Sequence, residues 1–144
     1  MPGPAARTAL LLHTLPDGRW HYDWLIEPPS PPLLAPAPSP GPLLAFRTWH
    51  RLDLDPHPRG SALPIHAERL PDHREVYLTY QGPISNRRGT VQRLAAGLAT
   101  WHHVTDSDFR LTLGWPSVPA SVLQGKRTQS FTPDGHPIWQ LRQN

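Results

Sequence analysis

Residues 8–27 read TALLLHTLPDGRWHYDWLIE, and this stretch decides the fold. Thr8 to Leu15 and Arg19 to Glu27 are strand-like runs around Pro16-Asp17-Gly18. Proline presets φ, aspartate tolerates the turn and glycine takes positive φ, so the three together predict a hairpin. From Trp20 onward the residues alternate. Trp20, Tyr22, Trp24 and Ile26 fall on one face, large and apolar, which predicts the core side. His21, Asp23, Leu25 and Glu27 fall on the other.

Closing the hairpin on a three-residue loop sets Leu15 opposite Arg19 and His13 opposite His21. Directly paired residues share a face, with Cβ atoms about 4.5–5.5 Å apart. His13, His21 and Asp23 are therefore expected on one patch. Two imidazoles and a carboxylate form an open ligand set for Mn²⁺ or Zn²⁺, with positions left for water and substrate. A polar, solvent-facing strand with two histidines opposite each other would show the same pattern. A slip of one residue would send His13 to the other face.

Working outward, the remaining strand candidates are Leu43 to Trp49, Glu75 to Gln81, Gly89 to Leu94, Phe109 to Leu113 and Ile138 to Arg142. A second Pro-Asp-Gly, Pro133 to Gly135, predicts the turn into the last of them. Val91 to Thr100 is the one helix-friendly stretch, and it is short and holds Gly97. The 20 prolines argue against a helical protein, since each costs a helix interior about 3 kcal/mol. Eight of them fall among the 15 residues from Pro28 to Pro42, a polyproline-type excursion between two strands. The fold class expected is mainly β: a small antiparallel β-barrel with long loops and little helix, one domain over residues 1–144.

The composition narrows the function classes. The chain has no cysteine, which removes disulfides, thiolate metal sites and cysteine nucleophiles and suits a cytoplasmic protein. The longest apolar run, Ala9 to Leu12, is far too short for a membrane span, so no membrane partner is expected. The formal charge is +3, and Lys126 is the only lysine. An arginine-based positive charge leans toward phosphate; a genome-wide base composition that favours arginine, proline and alanine explains it equally well.

Two further constellations could serve a phosphate. Alternation across a strand would put His73, Glu75, Tyr77, Thr79 and Gln81 on one face, with Val76, Leu78 and Tyr80 toward the core. His73 would then act as general acid or phosphate donor and Tyr77 as a neutral donor; a loop histidine and a half-buried tyrosine are the plain alternative. Ser85-Asn86-Arg87-Arg88-Gly89 reads as a turn with two guanidinium groups at its tip, either a clamp on a nucleic-acid backbone or a solvated turn.

The order of these motifs resembles the 3′-phosphoesterase family of bacterial DNA ligase D, and its stand-alone branch in particular. The resemblance rests on His13, on His21-Tyr22-Asp23 with the strand to Glu27, and on Leu43 to Trp49. It continues through Asp72-His73 with Tyr77 and Gly82, and through Arg88-Gly89, and spans about residues 8 to 142. It implies a β-barrel with His13, His21 and Asp23 on a divalent metal, typically manganese, and with His73 and Tyr77 on the scissile phosphate. The implied activity trims DNA or RNA 3′ ends in DNA repair. A phosphodiesterase step removes a 3′-ribonucleotide, and a phosphomonoesterase step removes the 3′-phosphate left behind. A monomer working with a separate ligase or polymerase would fit the stand-alone branch.

The chain also departs from the family. Its first turn is two residues longer, and Leu25 stands where the family has a phosphate-binding arginine. Upstream of Asp72 a second family arginine is matched only by His66 and Arg69 nearby. Arg47, His50, Arg87 and Arg88 are the candidates to supply the missing phosphate or nucleic-acid contacts. The alternative is an end-binding module of the same barrel fold that has lost turnover.

Overall fold

The computed structural model describes residues 5–29, 42–54 and 64–144. Residues 30–41, most of the proline-rich stretch, lie outside the described residues. Nine strands occur among those described: β1 (Ala6–Thr14), β2 (Trp20–Ile26), β3 (Leu43–Thr48), β4 (Ile65–His73), β5 (Gly82–Pro83), β6 (Thr90–Val104), β7 (Asp108–Gly114), β8 (Ser121–Phe131) and β9 (Pro137–Gln143). Eight of them close in the order β1-β2-β3-β4-β9-β8-β7-β6, with β6 pairing back onto β1 and every pairing antiparallel. The short β5 adds to the edge of β6. No helix among the described residues is long and apolar enough to cross a membrane.

The first hairpin forms as its sequence predicts. Leu15 N–H donates to the Arg19 carbonyl at 2.7 Å, Gly18 takes φ +90°, and His13 pairs with His21. Aromatic rings fill the barrel. Phe46 lies 5.6 Å from Trp24, 5.9 Å from Phe109 and 5.6 Å from Trp139, centroid to centroid. The buried Trp24 indole donates to Thr8 Oγ1 at 2.9 Å, so this large ring enters the core without an orphaned N–H.

A second apolar cluster lies on the opposite face of the same strands, outside the barrel wall. Ala9 and Leu11 of β1, Leu25 of β2 and Leu43 and Ala45 of β3 form its floor, and Tyr77, Leu78, Tyr80 and Ile84 cover it. The covering segment corrects the expected strand Glu75 to Gln81. Glu75–Leu78 is one 3₁₀ turn, and the strand lies just before it, as β4. Near three residues per turn, Tyr77 and Tyr80 come to one side with Leu78 beside them, which leaves Val76 half exposed. The apparent alternation from 73 to 81 was incidental. Arg7 ties this turn to β1 by bridging Glu27 at 3.0 Å and Glu75.

Two other stretches differ from the sequence reading. Val91 to Thr100 lies wholly within β6. Leu10 pairs with Ala95 and Leu11 with Arg93, so Leu94 is an extra residue in a bulge. The bulge switches faces: Val91 packs outside the wall, whereas Ala99 and Trp101 pack inside. The polar strand β8 was not anticipated, because only Ser121, Leu123 and Gly125 are buried in it.

Candidate metal centre

On the outer wall the apolar floor passes directly into a polar patch. Along β1 the outward row runs Ala9, Leu11, His13; along β2 it runs Leu25, Asp23, His21; along β3 it runs Leu43, Ala45, Arg47. Register places His13 beside His21 and Asp23 beside Arg47. The same alternation that builds the second cluster therefore delivers the three candidate ligands.

Asp23 sits between the two imidazoles. Its Oδ2 lies 3.2 Å from His13 Nδ1 and its Oδ1 lies 3.1 Å from His21 Nε2. One donor atom from each residue falls within 4.8 Å of the others. His21 and Asp23 are 4% and 3% exposed, so this is no solvent-facing strand. His21 Nε2 and Asp23 Oδ1 are also buried without a hydrogen bond, although each such atom costs about 1–3 kcal/mol. A divalent cation between them would satisfy both, so the residues fit the group.

Outer contacts orient these side chains. His13 Nε2 donates to the Arg88 carbonyl at 2.7 Å, which leaves Nδ1 turned toward Asp23. The Asp23 hydrogen bond raises the His13 pKa above its ordinary value; burial and Arg47 oppose this, and the Arg88 carbonyl supports it. For Asp23, burial alone would raise the carboxyl. The His13 and His21 imidazoles overrule it and hold the pKa well below the usual carboxylate range.

The Arg88 carbonyl reaches His13 because Gly89 packs against the end of β1. A Cβ on Gly89 would lie 1.9 Å from the Thr14 carbonyl oxygen, and φ there is +93°. Only glycine fits both conditions.

A pocket of about 440 Å³ opens over this floor. His13, His21, Asp23, Arg47, His73, Tyr77 and Arg88 all line it. His73 Nδ1 donates to the Pro71 carbonyl at 2.8 Å, which leaves Nε2 for exchange with a ligand, and its ring packs edge-on to Tyr77 at 5.9 Å. Thus His73 and Tyr77 meet through a strand end and a 3₁₀ turn, not along one strand face as expected. Arg47 contributes a buried Nε with no hydrogen-bond partner, while its Nη1 lies 3.5 Å from Glu68. Arg88 anchors its own side chain to Ser85.

Two expected residues do not line the pocket. His50 is exposed just beyond β3, and Arg87 is exposed in the 85–89 turn at φ +56°. Nor does Arg69 replace the family's upstream arginine: its guanidinium is buried against Asp72 at 2.6 Å and the Leu70 carbonyl at 2.6 Å. Arg74 and His136 line the pocket without having been expected. His136 follows the second Pro-Asp-Gly turn. The β4–β9 pairing, which runs from Ile65↔Leu141 to Glu68↔Ile138, carries that turn toward the His73 end of β4. No local spacing could have announced a contact set by strand pairing at such separation.

Fold and site together define a class: a closed antiparallel barrel with a candidate divalent-cation site on its outer wall. No protein-family model matches the chain, and no curated protein matches it in sequence.

Proposed function

We propose that this barrel is a divalent-metal-dependent phosphoesterase that trims the 3′ ends of DNA or RNA strands, as in the ligase-D phosphoesterase family. One observation carries the reading: the orphaned pair His21 Nε2 and Asp23 Oδ1 lies, with His13, under a pocket walled by Arg47, Arg88, His73 and Tyr77. That wall offers cationic and neutral donors to the oxygens of a phosphoester.

His13, His21 and Asp23 would hold the ion, Mn²⁺ by family resemblance and Zn²⁺ by donor set. A bound divalent ion polarises a phosphate oxygen and acidifies water at such a site. Arg47, whose guanidinium lines the pocket, holds a non-bridging oxygen. Tyr77 donates a neutral hydrogen bond, and His73, held through Nδ1 by the Pro71 carbonyl, turns Nε2 to the leaving oxygen as the general acid. The 3′-terminal ribonucleotide leaves in two hydrolyses: the first releases its nucleoside and leaves a 3′-phosphate, and the second releases that phosphate and leaves a 3′-hydroxyl, the end that a separate ligase or polymerase requires. A monomer in the cytoplasm, where a chain without cysteine is at no redox disadvantage, suits this role.

The test is a primer–template ending in a 3′-ribonucleotide or 3′-phosphate, incubated with Mn²⁺. Wild-type protein is expected to release product and His13→Ala to lose it; no product at micromolar wild-type protein would overturn the proposal. A non-hydrolytic end-binding module is the second reading. It is favoured by the apolar, fully buried Leu25 and by Arg69's commitment to Asp72. Primer–template binding that persists in His21→Ala, with no turnover by either protein, would select it.

A further inference from the structure

Strict alternation along β4 would point His73 into the barrel. Ile65 and Ala67 pack inside, Arg69 pairs with the interior Phe46, and His73 continues the same alternate row. Yet His73 lines the pocket outside the wall. The pairing of β3 with β4 explains this. Ala45 faces Leu70 and Leu43 faces His73, so Pro71 and Asp72 together stand opposite Leu44. Two residues against one make a β-bulge, which resets the alternation and sets His73 in the outward row with Leu43 and Ala45. Proline suits the position, since it has no N–H to withdraw from the ladder.

One guanidinium staples this bulge. Arg69 Nη2 donates to Asp72 Oδ1 at 2.6 Å. Its Nη1 donates to the Leu70 carbonyl at 2.6 Å and reaches the Ala45 carbonyl of β3 at 3.4 Å. The three acceptors therefore lie before the bulge residue Pro71, after it and on the neighbouring strand. Arg69 and Asp72 are each 7% exposed, and the guanidinium lies 5.7 Å from the Phe46 ring centroid. Apolar residues of similar volume commonly stabilise such a position as well as a buried ion pair does, so stability alone does not account for the charges. What the bulge delivers is the direction of His73, whose Nδ1 donates to the Pro71 carbonyl at 2.8 Å.

We propose that Arg69 and Asp72 are positioning residues: their ion pair holds the β4 bulge and thereby turns the His73 imidazole to the phosphate. The phosphate rests on the proposed function; the direction of His73 does not. Arg69 does not line the pocket, so it acts only through the backbone it clamps. Asp72 borders the pocket, with Oδ1 committed to Arg69.

The experiment uses the full chain with isotopically labelled histidine, observed by NMR without metal, so the first readout needs neither ion nor turnover. His73→Ala assigns the signal. In wild type the His73 Nδ1 proton is expected to be protected from exchange by the Pro71 carbonyl. Arg69→Met/Asp72→Leu removes both charges together, so neither is left buried alone and the fold should be retained. It should release that proton to fast exchange. Inorganic phosphate should then bind the Mn²⁺-loaded variant about 10- to 150-fold more weakly than wild type, as with His73→Ala, while Mn²⁺ affinity stays within a few-fold. Arg69→Lys keeps the charge but not the fork, and should move both readouts the same way; it carries the test if the double variant does not fold. A His73 proton that stays protected in the folded variants would overturn the proposal. So would an equal loss of Mn²⁺ affinity, which would mark general damage to the wall. A parallel 3′-phosphate assay separates the two readings. Hydrolysis by wild type with His73 undisturbed in the variants removes only the staple; a released His73 with no hydrolysis by wild type removes only the phosphoesterase.

Discussion

Replacing Gly89 with alanine tests how the site is held. The added Cβ would stand 1.9 Å from the Thr14 carbonyl oxygen, 2.9 Å from its carbon and 3.0 Å from Leu15 Cα. The first contact is roughly 1.5 Å inside ordinary van der Waals separation, against backbone that cannot rotate away. A φ of +93° adds the strain of a left-handed alanine, about 1–2 kcal/mol. The 85–89 turn must therefore lift from β1 and draw the Arg88 carbonyl away from His13 Nε2, now 2.7 Å distant. Overpacking of this kind costs about 1–3 kcal/mol of stability. Loss of an outer hydrogen bond to a metal-ligating histidine costs about 10- to 100-fold in metal affinity. Calorimetric Mn²⁺ titration and denaturant unfolding of Gly89→Ala measure the two effects separately. Arg88→Ala is the control, because it keeps the carbonyl and should keep affinity within a few-fold. If Gly89→Ala bound metal like wild type, or if Arg88→Ala lost as much affinity, the backbone carbonyl would not be the support described here.

Three further outcomes follow from the same contacts. Because the His13 pKa is raised and the Asp23 pKa lowered, their interaction stabilises the metal-free protein only between those two values. The His13 share is complete below its unfolded value near 6.5 and is lost as pH rises through the raised one. The Asp23 share is complete above its unfolded value near 3.9 and is lost as pH falls through the lowered one. Unfolding midpoints measured against pH should show this dome without metal, and His13→Gln should flatten its alkaline side. Gly125→Ala would set a Cβ 2.3 Å from the buried Phe109 ring, so denaturant melts should show a loss of about 1–3 kcal/mol. Arg47→Gln removes a charge-assisted contact of about 1.5–3 kcal/mol, so the rate of 3′-phosphate release should fall about 10- to 150-fold while the melting curve stays close to wild type.

The hairpin was legible because two independent rules agreed on it. Alternation fixed which residues share a face, and Pro16-Asp17-Gly18 fixed the register that sets His13 against His21. Where a single rule operated, the reading failed. Alternation alone made a strand of Glu75 to Gln81, although 3₁₀ geometry buries Tyr77, Leu78 and Tyr80 just as well. The Leu94 bulge reversed the pattern inside β6 and hid a long strand behind a helix-friendly composition. Polar β8 had almost no pattern to offer. Arg47 and Arg88 were legible as candidate phosphate contacts but not separable from His50 and Arg87, since β2–β3 register brings one to the pocket and the close approach of Gly89 to Thr14 brings the other. His136 was invisible for the same reason, being delivered by the pairing of β4 with β9.

The location of the site follows from how the barrel is filled. Among the described residues, Trp24, Phe46, Phe109 and Trp139 fill the interior, and the pocket opens outside the wall. A bare outer wall would leave His21 and Asp23 to water, where each could be satisfied singly. The 3₁₀ turn and its flanks cover the apolar half of that wall. Their edge, through His73, Arg74 and Tyr77, raises the polar half into a pocket. One short segment thus seals the second core and encloses the candidate ligands. Arg7's bridge to Glu27 and Glu75 and the Arg93 bond to the Leu78 carbonyl, 3.2 Å long, pin it to the barrel. Depth of the candidate metal site and stability of the outer cluster are therefore coupled, and loosening this segment would weaken both while leaving the aromatic interior intact.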